Sequence, residues 1–228
     1  MSNVKTAWND YFTATGQNNI NSQTFSLKQT PSNTSVYVSN CLFRFITSSG
    51  DGGALSCTSV TYLLVESTSF ISCSTSGQYG GAVYFSNSGG QCALYKVCGF
   101  DCCSTYTSRS DGQFAHISVN NAISSKNYVN YTSITRCMNQ ISDSHGMLYL
   151  VNGKICCPSI NMSMNKCPHA SGIYCQPFTD SNSYTSSVTY SSFADNFATI
   201  SICIYFFWDG TANYEVKSCN VLRNTQGN

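Results

Sequence analysis

Three features of the sequence predict an all-β chain wound as a right-handed parallel β-helix of about six to seven coils. A short motif recurs along the chain, in which an apolar anchor is followed ten to twelve residues later by a glycine. Between these points, segments such as Ala82-Val-Tyr-Phe85 and Met147-Leu-Tyr-Leu-Val151 are rich in β-branched and aromatic residues, the composition of short strands. Turn chemistry such as Asn87-Ser-Gly-Gly90 and Asp209-Gly210 separates them, and no stretch keeps the 3.6-residue period of an amphipathic helix.

The repeat is clearest near the start. Cys41-Leu-Phe-Arg-Phe-Ile46 leads to Gly52-Gly-Ala-Leu55, and Ser67-Thr-Ser-Phe-Ile-Ser-Cys73 leads to Gly80-Gly-Ala-Val-Tyr-Phe85. Weaker copies follow, and the anchors read from the sequence are Phe43, Phe70, Phe100, Ile134, Ile160, Phe193 and Val221. The glycines that answer them are Gly53, Gly81, Gly112, Gly146 and Gly172. One arc of near-constant length and one of variable length per repeat is the signature of a solenoid with looped-out turns. A β-sandwich would also use short strands and regular turns, but it has no reason to reuse Gly-Gly-Ala. Each glycine is expected where the chain turns with φ > 0 or closely approaches the next coil.

Residues 1–35, with Trp8, Tyr11, Phe12, Phe25 and Leu27, read as an N-terminal cap or irregular first coil, and 36–228 as the repeats. Terminal coils of a solenoid need covering. With no cap visible after Asn224, the expectation is an exposed last coil or a polypeptide that continues.

Charged residues make up 9% of the chain and the net charge is +1, against about 25% charged residues in an average domain. The eleven Lys and Arg are scattered singly, so no basic field is available for nucleic acid or an anionic membrane. The best apolar run, Ile200 to Trp208, is too short for the roughly 20 residues of a membrane span. The first ten residues contain no apolar h-region of a secretory signal.

Phe70-Ile-Ser-Cys73 with Gly80-Gly-Ala-Val83, and Phe193-Ala-Asp-Asn196 in an Asn form, resemble the repeats of the polymorphic outer-membrane protein family. They are similar still to the cysteine-rich, Pmp-like right-handed β-helix proteins of parabasalid protists such as trichomonads. The resemblance is clearest over residues 41–85 and fades toward the C-terminus. It implies a surface or secreted protein with adhesin-like roles and no enzymatic activity.

Fourteen cysteines would suggest disulfides in a secreted chain. The repeat alignment offers a second explanation. Cys73, Cys103 and Cys137 fall three residues after their anchors and form a ladder of small apolar side chains lining the interior. Cys41, Cys98 and Cys219 fall two before. No Cys-x-x-Cys pair exists to hold zinc. His145 and His169 fall just before the glycines of successive coils, where they could approach each other, although water-exposed turn positions are the simpler reading.

Many β-helices act on polysaccharides, but glycoside hydrolysis needs a pair of carboxylates, and no two of the ten acidic residues are adjacent or one apart. Asp51, Asp111 and Asp143 each precede a glycine by one to three residues, with Arg109 beside Asp111, a weak candidate for a shallow calcium or glycan site. Turn-favouring Asp is the plainer explanation. Asn33, Asn130 and Asn161 head N-glycosylation sequons. No catalytic residue or cofactor site stands out. The sequence-level expectation is therefore a non-enzymatic, adhesin-like scaffold whose polar and aromatic face meets a glycan or protein ligand on a cell surface. A carbohydrate-active enzyme, or its degenerate relative, and a bare structural spacer are the alternatives.

Overall fold

A computed structural model of the chain describes residues 7–138, 144–177, 185–207 and 213–227. Nearly all regular structure is short parallel strand, arranged as a β-solenoid. Three faces run its length. The first holds eight strands, from Asn18–Asn21 through Ser35–Ser39 and Tyr62–Glu66 to Asn213–Lys217. The second also holds eight, from Thr24–Phe25 through Leu42–Arg44 to Asn220–Leu222. The third holds six: Leu55–Cys57, Val83–Ser86, Ala115–Ser118, Leu148–Val151, Ile173–Gln176 and Ile204–Phe206. Each strand pairs with its counterpart one coil on, giving about six full turns. At about 4.8 Å per strand, eight strands span roughly 34 Å.

The second face is short because the chain bends sharply on both sides of it. Each bend is a single left-handed residue, and almost none is glycine. Asn40 and Phe45, Ser67 and Ser72, Lys96 and Asp101, Tyr131 and Arg136, and their successors as far as Ser218 and Arg223 have φ between +46° and +57°. Such a residue costs about 1–2 kcal/mol when it carries a side chain. The cost is offset because its N–H still pairs with the next coil, as Ser67 does with Tyr95 O at 2.9 Å and Ser72 with Phe100 O at 2.9 Å. These corner side chains project outward, which leaves Phe45, Tyr131, Met164 and Tyr190 exposed.

Between the corners lies the anchor row. Phe25, Phe43 and Phe70 stand in register, their rings stacked at centroid distances of 4.7 and 4.8 Å. The row continues through Gly99, Ile134, Met162, Phe193 and Val221. Two anchors read from the sequence therefore need correction. Gly99, not Phe100, lies opposite Phe70. Because side chains alternate along a strand, this one-residue shift turns Phe100 outward, where Arg136 lies over its ring at 5.4 Å. Met162, not Ile160, lies opposite Ile134; Ile160 is buried at the preceding corner.

The cysteine ladder shifts with the anchors. Three residues after each anchor from Phe43 onward stand Ile46, Cys73, Cys102, Cys137, Asn165, Asn196 and Asn224, so Cys102 replaces Cys103, which pairs beside Ser74 and is partly exposed. Cys98 likewise moves out of its expected row and is exposed; Val97 takes the buried place. The fourteen cysteines are all unbridged.

One reason for the Asn form is plain in the hydrogen bonds. Each asparagine of the ladder accepts from the backbone N–H of its counterpart one coil earlier: Cys137 N to Asn165 Oδ1 at 3.0 Å, Asn165 N to Asn196 Oδ1 at 3.0 Å, and Asn196 N to Asn224 Oδ1 at 2.8 Å. In the sulfur part of the ladder, Cys102 N reaches Cys137 Sγ at 3.4 Å. At these four positions the bend thus leaves no N–H orphaned.

The five glycines do not share one row. Gly112 and Gly146 turn the chain with φ of +74° and +64°. Gly53 and Gly81 follow left-handed glycines and sit where a Cβ would lie 2.0 and 2.2 Å from a carbonyl oxygen of the next coil. Gly172 aligns one step further along, opposite Met147.

Residues 7–35 divide into two parts. Strands Asn18–Asn21 and Thr24–Phe25 build the first coil. Trp8, Tyr11 and Phe12, on a single helical turn and the residue after it, lie along the outer surface of the first face against Tyr37, Leu64 and Ala93. At the other end Val221 and Leu222 are 59% and 49% exposed.

Candidate ligand-binding groove

The outer surface of the third face carries one unbroken row. Tyr84, His116, Tyr149, Tyr174 and Tyr205 pair in register on successive coils. Each points outward because its two neighbours face the core, fully buried in the case of Val83 and Phe85 or Leu148 and Leu150 and partly buried in the case of Ile204 and Phe206. His116 stacks on Tyr149 at 5.1 Å and 12°, Tyr149 on Tyr174 at 4.3 Å and 9°, and Tyr174 on Tyr205 at 4.9 Å and 19°. The faces of these rings are therefore occupied by one another. What they offer outward is edges: phenol hydroxyls and imidazole nitrogens repeated once per coil. The stack breaks between Tyr84 and His116, whose planes differ by 51°.

At that break a groove of about 520 Å³ opens. Tyr84, His116 and Tyr149 form its floor. The turn residues Tyr79, Arg109 and Asp111 wall one side, and Ser86, Ser118, Val151 and Gln176 the other. The turn wall is itself a row: Tyr79 bridges to Asp111, and Asp111 pairs with His145.

Asp111 is 4% exposed and holds two partners. Arg109 Nε donates to its Oδ1 at 3.2 Å, and His145 Nδ1 lies 3.0 Å from the same oxygen. Burial alone would raise this carboxyl, but His145 and Arg109 outweigh it and hold its pKa below the ordinary value. Arg109 also reaches Tyr149 Oη at 3.5 Å. His116 contrasts with this. It is 8% exposed, its Nδ1 has no hydrogen-bond partner, and burial pushes its pKa down to about 4. It is a neutral imidazole at physiological pH. Burial also raises the Tyr79, Tyr149 and Tyr174 hydroxyls, so they remain protonated donors.

Several sequence candidates fall apart in this geometry. Asp51 and Asp111 stand in the same row but with Tyr79 between them, two coil spacings or about 10 Å apart. Asp51 Oδ1 accepts from Tyr79 N–H at 2.9 Å, a turn role. Asp143 lies outside the described residues. Among the described residues no group of three His, Cys, Asp or Glu side chains is placed to hold a metal ion. His145 and His169 do meet, with centroids 4.1 Å apart, but His145 is buried rather than water-exposed. Asn33 and Asn161 are exposed, whereas Asn130 is half-buried with its side-chain amide 2.8 Å from Tyr11 Oη.

The Tyr and His row itself was not singled out from the sequence. Its signal was there, as a Tyr or His enclosed by two core residues shortly after the glycine in Val83-Tyr-Phe85, Ala115-His-Ile117, Leu148-Tyr-Leu150, Ile173-Tyr-Cys175 and Ile204-Tyr-Phe206.

Fold and groove together define a parallel β-solenoid with one recessed, ring-lined outer face. No protein-family model, curated protein sequence or solved structure matches this chain. No helix among the described residues is long and apolar enough to cross a membrane.

Proposed function

We propose that the protein is a non-enzymatic binding scaffold whose third face, centred on the groove at Tyr84, His116 and Tyr149, engages a glycan or protein ligand at a cell surface. The observation that carries this reading is the continuous outward row from Tyr84 to Tyr205 beside a recessed groove. Large, stiff side chains with polar tips supply contact area at low entropic cost, and the solenoid holds them in fixed register. The resemblance of residues 41–85 to Pmp-like repeats supports an adhesin-like, surface or secreted setting. The exposed sequons at Asn33 and Asn161 suit that setting.

A carbohydrate-active enzyme is the weaker reading. The carboxylate that lines the groove among the described residues is Asp111, and it is already engaged by Arg109 and His145. Glycoside hydrolysis uses two carboxylates about 5–9.5 Å apart. The test measures binding to an immobilised glycan array and to intact cells by the protein and by Tyr84→Ala and Tyr149→Ala variants. Binding reduced tenfold or more in both variants, with no release of reducing or unsaturated sugar ends from a polysaccharide panel, is the expected result. Unchanged binding, or turnover of any polysaccharide, would overturn it.

A further inference from the structure

We propose that the groove takes an uncharged, hydroxyl-rich glycan segment lying along the solenoid axis, a ligand class that rests on the reading of this groove as the binding site. The first argument is the backbone. Strands of the third face already pair on both sides through the middle coils, so the groove offers no free edge to which a peptide could add as a strand. Recognition there has to come from side chains.

The second argument is charge. The cation of the groove, Arg109, is engaged by Asp111, and Asp111 is further held by His145. A uronate or sulfated sugar would have to draw Arg109 away from a buried carboxylate, leaving that carboxylate short of a partner. A cationic ligand would meet Arg109 itself. An uncharged ligand disturbs neither.

The third argument is the pattern of donors and acceptors. His116 lies in the groove floor, 8% exposed and stacked on Tyr149. Around it stand the hydroxyls of Tyr84, Tyr149, Ser86 and Ser118 and the amide of Gln176. Hydroxyls and amides both donate and accept. A sugar hydroxyl does the same, so it can pair with each of these groups in either sense. The ring edges of the floor add apolar contact for the C–H faces of the sugar.

The fourth is shape. The wall opposite the turn runs from Ser86 to Gln176 across four coils, three spacings or about 14 Å. That length suits an extended segment of several sugars better than a single one.

The experiment is a titration, by calorimetry and by the aromatic NMR signals, with neutral probes (cello-, manno-, xylo-, galacto- and chito-oligosaccharides of two to six sugars) and acidic ones (oligogalacturonate and heparin-derived oligosaccharides). At least one neutral series is expected to bind more tightly as it lengthens beyond two sugars, and at least tenfold more tightly than either acidic probe. His116→Asn and Gln176→Ala should each weaken it fivefold or more, while Tyr190→Ala, at an exposed corner away from the groove, should leave it unchanged. Circular dichroism confirms that each variant is folded, and Gln176→Ala carries the test if His116→Asn is not. Tighter acidic binding, no neutral binding, or neutral binding indifferent to the groove variants overturns the proposal. If the array or cell binding still falls in Tyr84→Ala while no neutral probe binds, the ligand class fails and the groove stands. If nothing depends on the groove, both fail.

Discussion

The ring of Phe114 fills the space that a side chain at Gly99 would need: a Cβ at Gly99 would lie 2.5 Å from Phe114 Cε2. The interior trades volume between two facing rows. Coils anchored by Phe43 and Phe70 carry Ala54 and Ala82 on the opposing row, and the coil anchored by Gly99 carries Phe114. Close packing makes such an exchange necessary, since neither an overfilled nor an emptied cross-section is tolerated.

A reciprocal swap should therefore be tolerated better than either half. Phe114→Ala is expected to cost about 3–5 kcal/mol, and Gly99→Phe to fail to fold or to lose a similar amount through overpacking. The double variant should recover at least about 1–2 kcal/mol relative to the sum of the two, a coupling within the usual range for residues in contact. Urea unfolding of the four proteins measures it; strict additivity would show that the two positions do not share one space.

The asparagine ladder should weaken from the inside out. Asn196 is buried, accepts from Asn165 N–H, and donates to Met162 O at 3.0 Å and Asn224 Oδ1 at 2.9 Å. Asn196→Ala leaves buried backbone groups unpaired and should cost about 2–4 kcal/mol, at about 1–3 kcal/mol for each such group. Asn224→Ala, in the more exposed last coil, should cost about 1 kcal/mol. Equal losses in chemical denaturation would contradict the ladder's gradient of burial.

Thiol chemistry should divide the cysteines by position. Burial pushes Cys57 and Cys167 up to about 12, and raises Cys92, Cys102 and Cys157 as well, so their thiolates are scarce. Cys98 is exposed. Iodoacetamide labelling at pH 8 followed by peptide mass spectrometry should modify Cys98 in the native protein well before these five, and all fourteen only after unfolding. Rapid native labelling of Cys102 would contradict its place in the ladder.

Acid should destabilise the fold through His116. Its folded pKa of about 4 lies below its unfolded value of about 6.5. The unfolded chain therefore takes up this proton first, and stability present above pH 6.5 is lost as the pH falls toward 4. The full difference corresponds to about 3 kcal/mol. Replacing the imidazole by a ring that cannot titrate, His116→Phe, should flatten the stability–pH curve across that window. Parallel curves for the two proteins would show that His116 is not held neutral.

The solenoid was legible because its signals are repeated. Phe43 and Phe70, each followed by Cys or Ile three residues on and Gly-Gly-Ala beyond, announce a coil on their own. The register failed where one coil departs from its neighbours. Phe100 looks like an anchor because it is aromatic, and only the presence of Phe114 across the core explains why Gly99 takes that place. That is a contact between positions fifteen residues apart, and no local pattern reveals it. The same one-residue slip carried Cys103 into the ladder in place of Cys102. The groove was harder still. Tyr84, His116 and Tyr149 are about thirty residues apart in sequence, and their significance lies in the outward side of a register that local alternation gives only strand by strand. The turn position of Asp111 is legible in Asp111-Gly112, but its pairing with His145 depends on which coil lies next to which.

The most direct test of the third face as the binding surface is hydroxyl-radical footprinting with and without a ligand taken from the array or cell-binding screen. Protection is expected at Tyr84, His116 and Tyr149, extending to Tyr174 as the ligand lengthens, with Tyr131 and Tyr190 on the corners of the second face unchanged. Protection at those corner residues, with the third-face row as reactive as in the free protein, would contradict it.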